Sequence, residues 1–319
     1  MKYLITGASG QVGNALCDYL GSSAVALDRA EMDLSQPETL AEKLEKYKPE
    51  AIINTAAYTA VDKAESEEAY ARAINADAVR ELARYAFAHN IPLIHYSTDY
   101  VFPGTGVKPW KEDDITAPQN AYGRTKLAGE QAIMEEADSL TSLHPHTPTP
   151  SYLIFRTSWV YAAAGHNFVN TMLRLGKERE VISVVNDQIG APTFAGDIAS
   201  ATLAALEKAR GMKHFPSGIY HLVNAGEVSW HGFAEEIFRK VLAMGAELAV
   251  HEVKYLRSSD YPTPAARPLN SRLDCAKLKA TFGIALPDWR DALARCLEGK
   301  FGGECGHHAC TCHHPEETA

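Results

Sequence analysis

Tyr122 and Lys126 stand four residues apart in the segment Tyr122-Gly-Arg-Thr-Lys126. On a helix that spacing puts the phenol and the ammonium on one face, one turn apart. An ammonium beside a phenol favours the phenolate and lowers a pKa that starts near ~10, so the tyrosine can exchange a proton with a bound oxygen near neutral pH. A Tyr-x-x-x-Lys pair is common on solvated helix faces and carries little by itself. Thr98 adds to it, closing the run His95-Tyr96-Ser97-Thr98 ahead of Asp99. A hydroxyl at the C-terminal edge of a parallel sheet lies where ligands bind, and it can hydrogen-bond the oxygen that Tyr122 protonates. Thr98, Tyr122 and Lys126 are therefore the candidate catalytic set.

A second constellation opens the chain. In Thr6-Gly7-Ala8-Ser9-Gly10-Gln11-Val12-Gly13, glycines stand where a strand meets a helix. They permit a tight bend and let the backbone, with the free N–H groups of the helix start, approach a pyrophosphate. The spacing G-x-x-G-x-x-G is one residue longer than the dinucleotide fingerprint, and a merely structural turn is its rival. Asp28 strengthens the ligand reading: it follows Gly7 by 21 residues, at the end of the next apolar run, where a carboxylate accepts hydrogen bonds from ribose hydroxyls. Its neighbour Arg29 would suit a 2′-phosphate instead, which leaves NADH against NADPH open. Asp33 and Leu34 are placed to border an adenine, and Ala56, Ala57 and Tyr58 close the third strand with residues small enough for a cofactor to lie flat. Lys126 can then also reach the hydroxyls of a nicotinamide ribose.

These residues need a doubly wound α/β frame, and the first half supplies one. Apolar runs at Lys2–Thr6, Ala24–Leu27, Ala51–Asn54, Ile91–Ser97 and Tyr152–Arg156 alternate with helical stretches, including a long one over Glu67–His89 and another near Asn120–Ala137. That alternation predicts right-handed βαβ units, a Rossmann-like parallel sheet. Ser139–Ser151, with three prolines, reads as a surface loop. Beyond Arg156 the alternation loosens, with helices predicted near Gly165–Lys177, Gly196–Ala209 and His231–Met244 and strands at Val181–Val185 and Ile219–Val223. The expected organisation is a dinucleotide-binding domain over 1–156 with returning elements near 181–225, and a smaller α/β substrate lobe over 157–180 and 226–298.

Composition excludes other classes. Of 319 residues 46% are apolar, enough for a core, and 31 Lys plus Arg against 40 Asp plus Glu give a net charge of −9 with no basic block, which argues against nucleic acid. No run approaches a membrane span, so a cytoplasmic chain is expected. Three of the six cysteines crowd into Cys305–Cys312 with His307, His308, His313 and His314. That 299–319 tail is expected to lie outside the fold, its ligand-rich run notwithstanding.

The blocks TGASGQVG, STDYVF, YGRTK and RTSWVY together resemble the extended short-chain dehydrogenase/reductases, and within them the family of dTDP-4-dehydrorhamnose reductases. Further similar blocks are Phe168–Glu178, Val185–Thr193 and Tyr261–Asp274, so that the resemblance spans roughly residues 1–298. It implies reduction of the 4-keto group of dTDP-4-dehydro-β-L-rhamnose by NADPH or NADH, feeding a surface polysaccharide. Tyr122 would be the proton donor, Lys126 its partner and a cofactor ligand, and Thr98 a hydrogen-bonder to the sugar. Asp99 would contact the sugar and Trp159 line its pocket, with Asn167, Phe168 and Arg267 toward the substrate nucleotide. The resemblance also implies a homodimer and a Mg²⁺ site as open alternatives, but Ala15 and Gly196 stand where an acidic metal cluster would need carboxylates, so no metal residues are assigned. A regulatory binding protein on the same fold, and an epimerase or 4,6-dehydratase, are the rival readings. A dehydratase follows its threonine with an Asp-Glu pair, whereas here Thr98 precedes Asp99 and Tyr100.

Overall fold

The computed structural model describes residues 2–143 and 149–301. In chain order the elements are β1 (Tyr3–Thr6), α1 (Gln11–Leu20), β2 (Ala24–Leu27), α2 (Leu40–Tyr47), β3 (Ala51–Asn54), α3 (Val61–Ala64), α4 (Glu68–Arg72), a π turn at Ala73–Asp77, α5 (Ala78–Ala88) and β4 (Leu93–Thr98). There follow α6 (Ala121–Leu143), β5 (Tyr152–Thr157), β6 (Val160–Tyr161), α7 (Phe168–Glu178), β7 (Val181–Val185), β8 (Ile189–Gly190), β9 (Thr193–Phe194), α8 (Ala195–Gly211) and β10 (Gly218–His221). The chain continues through β11 (Val228–Ser229), α9 (Trp230–Ala243), β12 (Glu252–Leu256), β13 (Asn270–Ser271), α10 (Ala276–Phe282) and α11 (Trp289–Phe301).

Six strands form the central sheet in the order β10-β5-β4-β3-β1-β2, all parallel. β3 and β4 are buried along their whole length, as expected of strands covered by helices on both faces. One face packs on α5 and α6 through Leu82, Ala83, Ala86 and Ile133. The other packs on α1 and α8 through Leu16, Ile198, Ala205 and Leu206. Strand order reverses between β1 and β3, which leaves a crevice at their C-terminal ends, the place where ligands bind in this class of sheet. A third core around Phe233, Ile237, Trp289 and Leu293 holds the second lobe.

The structure departs from the sequence expectations in three places. The stretch Glu67–His89 is not one helix: Ala73–Asp77 forms a π turn between α4 and α5. This widened turn sets Asn75 so that its amide accepts from the Tyr58 N–H at 2.8 Å and donates to the Tyr58 carbonyl and to Thr125 Oγ1, both at 3.1 Å. Here α6 comes so close that a Cβ on Gly129 would stand 2.1 Å from the Asn75 carbonyl oxygen; only glycine fits. Second, Ser139–Leu143 is the last turn of α6 rather than loop, since the first proline lies beyond it and Thr141 Oγ1 bonds back to the Ala137 carbonyl. Third, the elements that return to the sheet are α8 and β10, whereas β7 pairs with β12 in the second lobe. Its alternating exposed and buried residues suit a strand covered on one face.

No helix among the described residues is long and apolar enough to cross a membrane. The Cys305–His314 run lies outside the described residues.

Candidate active site

Two cavities meet at the C-terminal edge of the sheet. The first, of about 560 Å³, is lined by Gly7, Gly10, Gln11, Val12, Arg29, Asp33, Leu34, Ala56, Ala57, Tyr58, Tyr122 and Lys126, with Thr55, Tyr96, Ser97, Thr157 and His166 beside them. Gly7 has φ +68°, and a Cβ there would stand 2.7 Å from the Ala56 Cα. The turn is thereby pressed against the end of β3. No side chain caps the N-terminus of α1 and no acidic residue occupies its first turn, so its N–H groups remain available to an anion. Cavity, uncapped helix and glycine turn fit a dinucleotide. Gly7→Ala combines a strained φ with a backbone clash, and titration of NADPH fluorescence should show affinity falling by at least about tenfold, with the fold kept.

Asp28 and Arg29 divide differently from the sequence expectation. Asp28 does not line the cavity; its Oδ1 accepts from the Ala30 and Glu31 N–H groups at 2.7 and 3.2 Å, an Asx turn. Arg29 does line it, donating to the Tyr70 hydroxyl and lying 3.7 Å from Asp33. Main-chain hydrogen bonding from Ser35 holds the Asp33 carboxyl below its ordinary range.

Tyr122 and Lys126, from the first two turns of α6, both face this cavity. The expected lowering of the phenol by the ammonium is absent. Burial pushes Tyr122 up to about 12, with the Thr98 hydroxyl pulling it down and the Asp99 charge raising it further. The Lys126 Nζ is turned instead to the Tyr96 carbonyl at 2.6 Å and to His95 Nε2 at 3.2 Å. Burial lowers it to about 8, the neighbouring Glu130 opposing the shift. Tyr122 is consequently a protonated acid at neutral pH, the form needed by a group that gives up a proton.

Thr98 ends β4, its hydroxyl donating to Asp99 Oδ1 at 3.1 Å and accepting from the Tyr100 N–H at 3.2 Å. Asp99 lines neither cavity. It is 2% exposed. Burial raises its pKa to about 6, against the pull of the Ser271 and Thr98 hydroxyls. The native state therefore holds a proton on Asp99 between about pH 4 and 6 that the unfolded chain releases, and stability falls as pH rises through that window. Asp99→Asn removes this cost. In urea unfolding it should gain on the order of 2–3 kcal/mol at pH 7.5 and little at pH 4.

The second cavity, of about 1030 Å³, lies between the sheet edge and the second lobe; it is lined by Asp62, Tyr100, Phe168, Arg179, Gln188, Trp230, Tyr261 and Arg267 among others. Phe168 and Arg267 line this cavity, and Arg267 is paired with Asp62 Oδ2 at 2.7 Å. Trp159 is not a wall of this cavity: it stacks under Trp230 with ring centroids 3.6 Å apart. Asn167 accepts from the Asn170 N–H as the cap of α7 and donates to two nearby carbonyls and to Oε1 of Gln11, a wall of the first cavity. The rings of Tyr122, which lines the first cavity, and Tyr100, which lines the second, meet edge to face at 5.5 Å.

Sequence reasoning missed Asn75, Asp62, Tyr100 and Trp230. An asparagine inside a helical stretch was the one visible signal, because asparagine competes with helical backbone. The pairing of Asp62 with Arg267, 205 residues apart, leaves no local trace. Among the described residues no group of three or more His, Cys, Asp or Glu could hold a metal ion.

A family model described as the RmlD substrate binding domain matches residues 1–300. A dTDP-4-dehydrorhamnose reductase of Burkholderia thailandensis is 48% identical over 304 residues, covering 93% of this chain and 98% of that one. Its counterpart in Escherichia coli K12 is 44% identical over 307 residues, covering 94% and 98%. Among solved structures, a dTDP-4-dehydrorhamnose reductase from Bacillus anthracis in complex with NADP has a TM-score of 0.83 at 34% identity and covers 94% of this chain and all of its own.

Proposed function

The chain belongs to the RmlD substrate-binding-domain family, that of the dTDP-4-dehydrorhamnose reductases, and from that premise we infer how its residues divide the work. The protein is an NAD(P)H-dependent oxidoreductase that reduces the 4-keto group of dTDP-4-dehydro-β-L-rhamnose to give dTDP-L-rhamnose. The reading of the site rests on one observation: Tyr122, half-buried and protonated, faces the first cavity and touches Tyr100, which walls the second. A donor at that seam can serve a sugar held in one cavity and a dinucleotide held in the other.

The dinucleotide, when bound, supplies a hydride to the carbonyl carbon. The remaining work belongs to the chain. The glycine turn and the start of α1 bind pyrophosphate, with Arg29, Asp33 and Leu34 around the adenosine. Lys126, anchored on the Tyr96 carbonyl, holds the nicotinamide ribose. Thr98, its hydroxyl turning from Asp99 to the substrate, donates a hydrogen bond to the keto oxygen, and Tyr122 delivers its Oη proton to that oxygen as negative charge develops there. Arg267 and Arg179 face the substrate diphosphate, and Phe168 with Trp230 offers the base an apolar wall. On this reading Asp99 acts on Thr98 rather than on the sugar.

The lobes divide accordingly: residues 1–156 with α8 and β10 carry the dinucleotide, and 157–180 with 226–298 the nucleotide sugar. The proposed setting is the cytoplasm, where reduced dinucleotide and activated sugar are both at hand, and the product serves a surface polysaccharide; a homodimer is the proposed assembly. The reading is tested by following reduced-nicotinamide absorbance with purified protein. Oxidation of NADPH should require the dTDP-keto-sugar, and isomerisation or water loss without oxidation would overturn it.

A further inference from the structure

Behind Lys126 runs a file of polar groups that the reduction, as described, does not use. Thr6, Asn54 and His95 sit in register on the neighbouring strands β1, β3 and β4, and all three are buried. The Thr6 hydroxyl donates to Asn54 Oδ1 at 2.6 Å, and Asn54 Nδ2 lies 3.0 Å from His95 Nδ1. His95 Nε2 then stands 3.2 Å from Lys126 Nζ. Three aligned polar residues inside a buried sheet are costly unless each is satisfied, and Lys126, which lines the first cavity, links the file to a ligand cleft.

The hydrogens along this file are interdependent. With Asn54 donating to Nδ1, the hydrogen of a neutral imidazole sits on Nε2 and points at Nζ, which must then accept it as a free amine. An ammonium carries no lone pair. Protonated Lys126 requires the reverse arrangement, with the hydrogen on Nδ1, the Asn54 amide turned end for end, and the Thr6 hydroxyl accepting. Each arrangement pairs Thr6, Asn54, His95 and Lys126 donor to acceptor along the file; a mixture sets two donors or two acceptors face to face. Burial first, and the Lys126 charge second, hold the imidazole far below its ordinary range, which leaves its two neutral tautomers as the states in play. The other titratable neighbours of Lys126 are Tyr122 and Glu130, one turn to either side on α6, and Glu130 is itself paired with Arg156.

We propose that His95 is a positioning residue for Lys126, and that its tautomer, backed by Asn54 and Thr6, sets whether that side chain stands as ammonium or as free amine. The proposal deepens the reading of Lys126 as the lysine that holds the cofactor, and its primary test does not depend on turnover. Nitrogen-15 NMR of the intact protein, with the His95 signal assigned by its loss in His95→Gln, should show Nδ1–H below and Nε2–H above about pH 8. A single tautomer throughout, or an imidazolium, overturns it. Two variants supply the functional arm. Gln presents either an oxygen or an NH₂ to Nζ, so His95→Gln should keep the pH dependence of NADPH dissociation measured by fluorescence. His95→Leu offers neither, and should weaken binding about tenfold and move the dependence to lower pH. A folded Leu variant with the wild-type profile overturns the proposal; should that variant not fold, the NMR result decides. Were the reductase reading to fail, turnover would be absent while the tautomer switch persisted.

Discussion

Tyr122→Phe should lower kcat by about 10³-fold, within the ~10²–10⁴ range that a positioned proton donor contributes. It should leave the NADPH dissociation constant within about twofold, because the first cavity is built mainly from the glycine turn and the ends of β2 and β3. The ring is half-buried and packs edge to face on Tyr100, so Phe preserves that contact and the helix start. The loss therefore falls on the transition state rather than on ground-state binding. Steady-state rates with the dTDP-keto-sugar, together with a fluorescence titration of NADPH, separate the two. A variant with a kcat within a factor of about three of wild type would remove Tyr122 from the chemistry.

The second large effect concerns what holds α6 in place. Glu130, one turn beyond Lys126, accepts from Arg156 Nε and Nη2 at 2.9 and 2.6 Å, the side chains being 0% and 2% exposed. Arg156 also donates to the Glu112 carbonyl at 3.3 Å and stacks its guanidinium 4.9 Å from the Phe102 ring centre. This bidentate pair clamps α6 to β5. Glu130→Ala leaves a buried guanidinium without its counter-charge, a change that costs ~3–5 kcal/mol. Urea unfolding should show that loss, with activity at low temperature falling less than in Tyr122→Phe. Replacing both partners with apolar residues, Glu130→Leu with Arg156→Met, should recover most of the stability, since the greater part of the penalty is an unpaired charge rather than a lost attraction. A Glu130→Ala variant as stable as wild type would show that the clamp contributes nothing.

The contrast between these residues shows what a sequence discloses. The parallel sheet was legible because each strand is a short apolar run and the helices between have a different period. The glycine turn and the Tyr–Lys spacing were legible because a local backbone geometry dictates both. The π turn at Ala73–Asp77 was not, since a one-residue shift in hydrogen bonding leaves the apolar pattern intact. The burial of Asp99 was hidden for another reason: a carboxylate beside a catalytic threonine reads as a ligand contact, and only the packing of β13 against it turns it inward. Trp159 and Asn167 were drawn to the site by neighbouring motifs, yet one is stacked beneath Trp230 and the other caps α7. The phenol's pKa was misjudged because burial outweighs an ammonium whose Nζ points elsewhere.

The central claim is a hydride delivered to C4 of the sugar with Tyr122 supplying the proton to its oxygen. NADPH deuterated at nicotinamide C4, on the face that is transferred, tests it in one reaction. The dTDP-L-rhamnose formed should carry one deuterium, located by NMR at sugar C4, with an equal amount of NADP⁺ produced. Product without the label, or a sugar isomer formed with no cofactor oxidised, would contradict it.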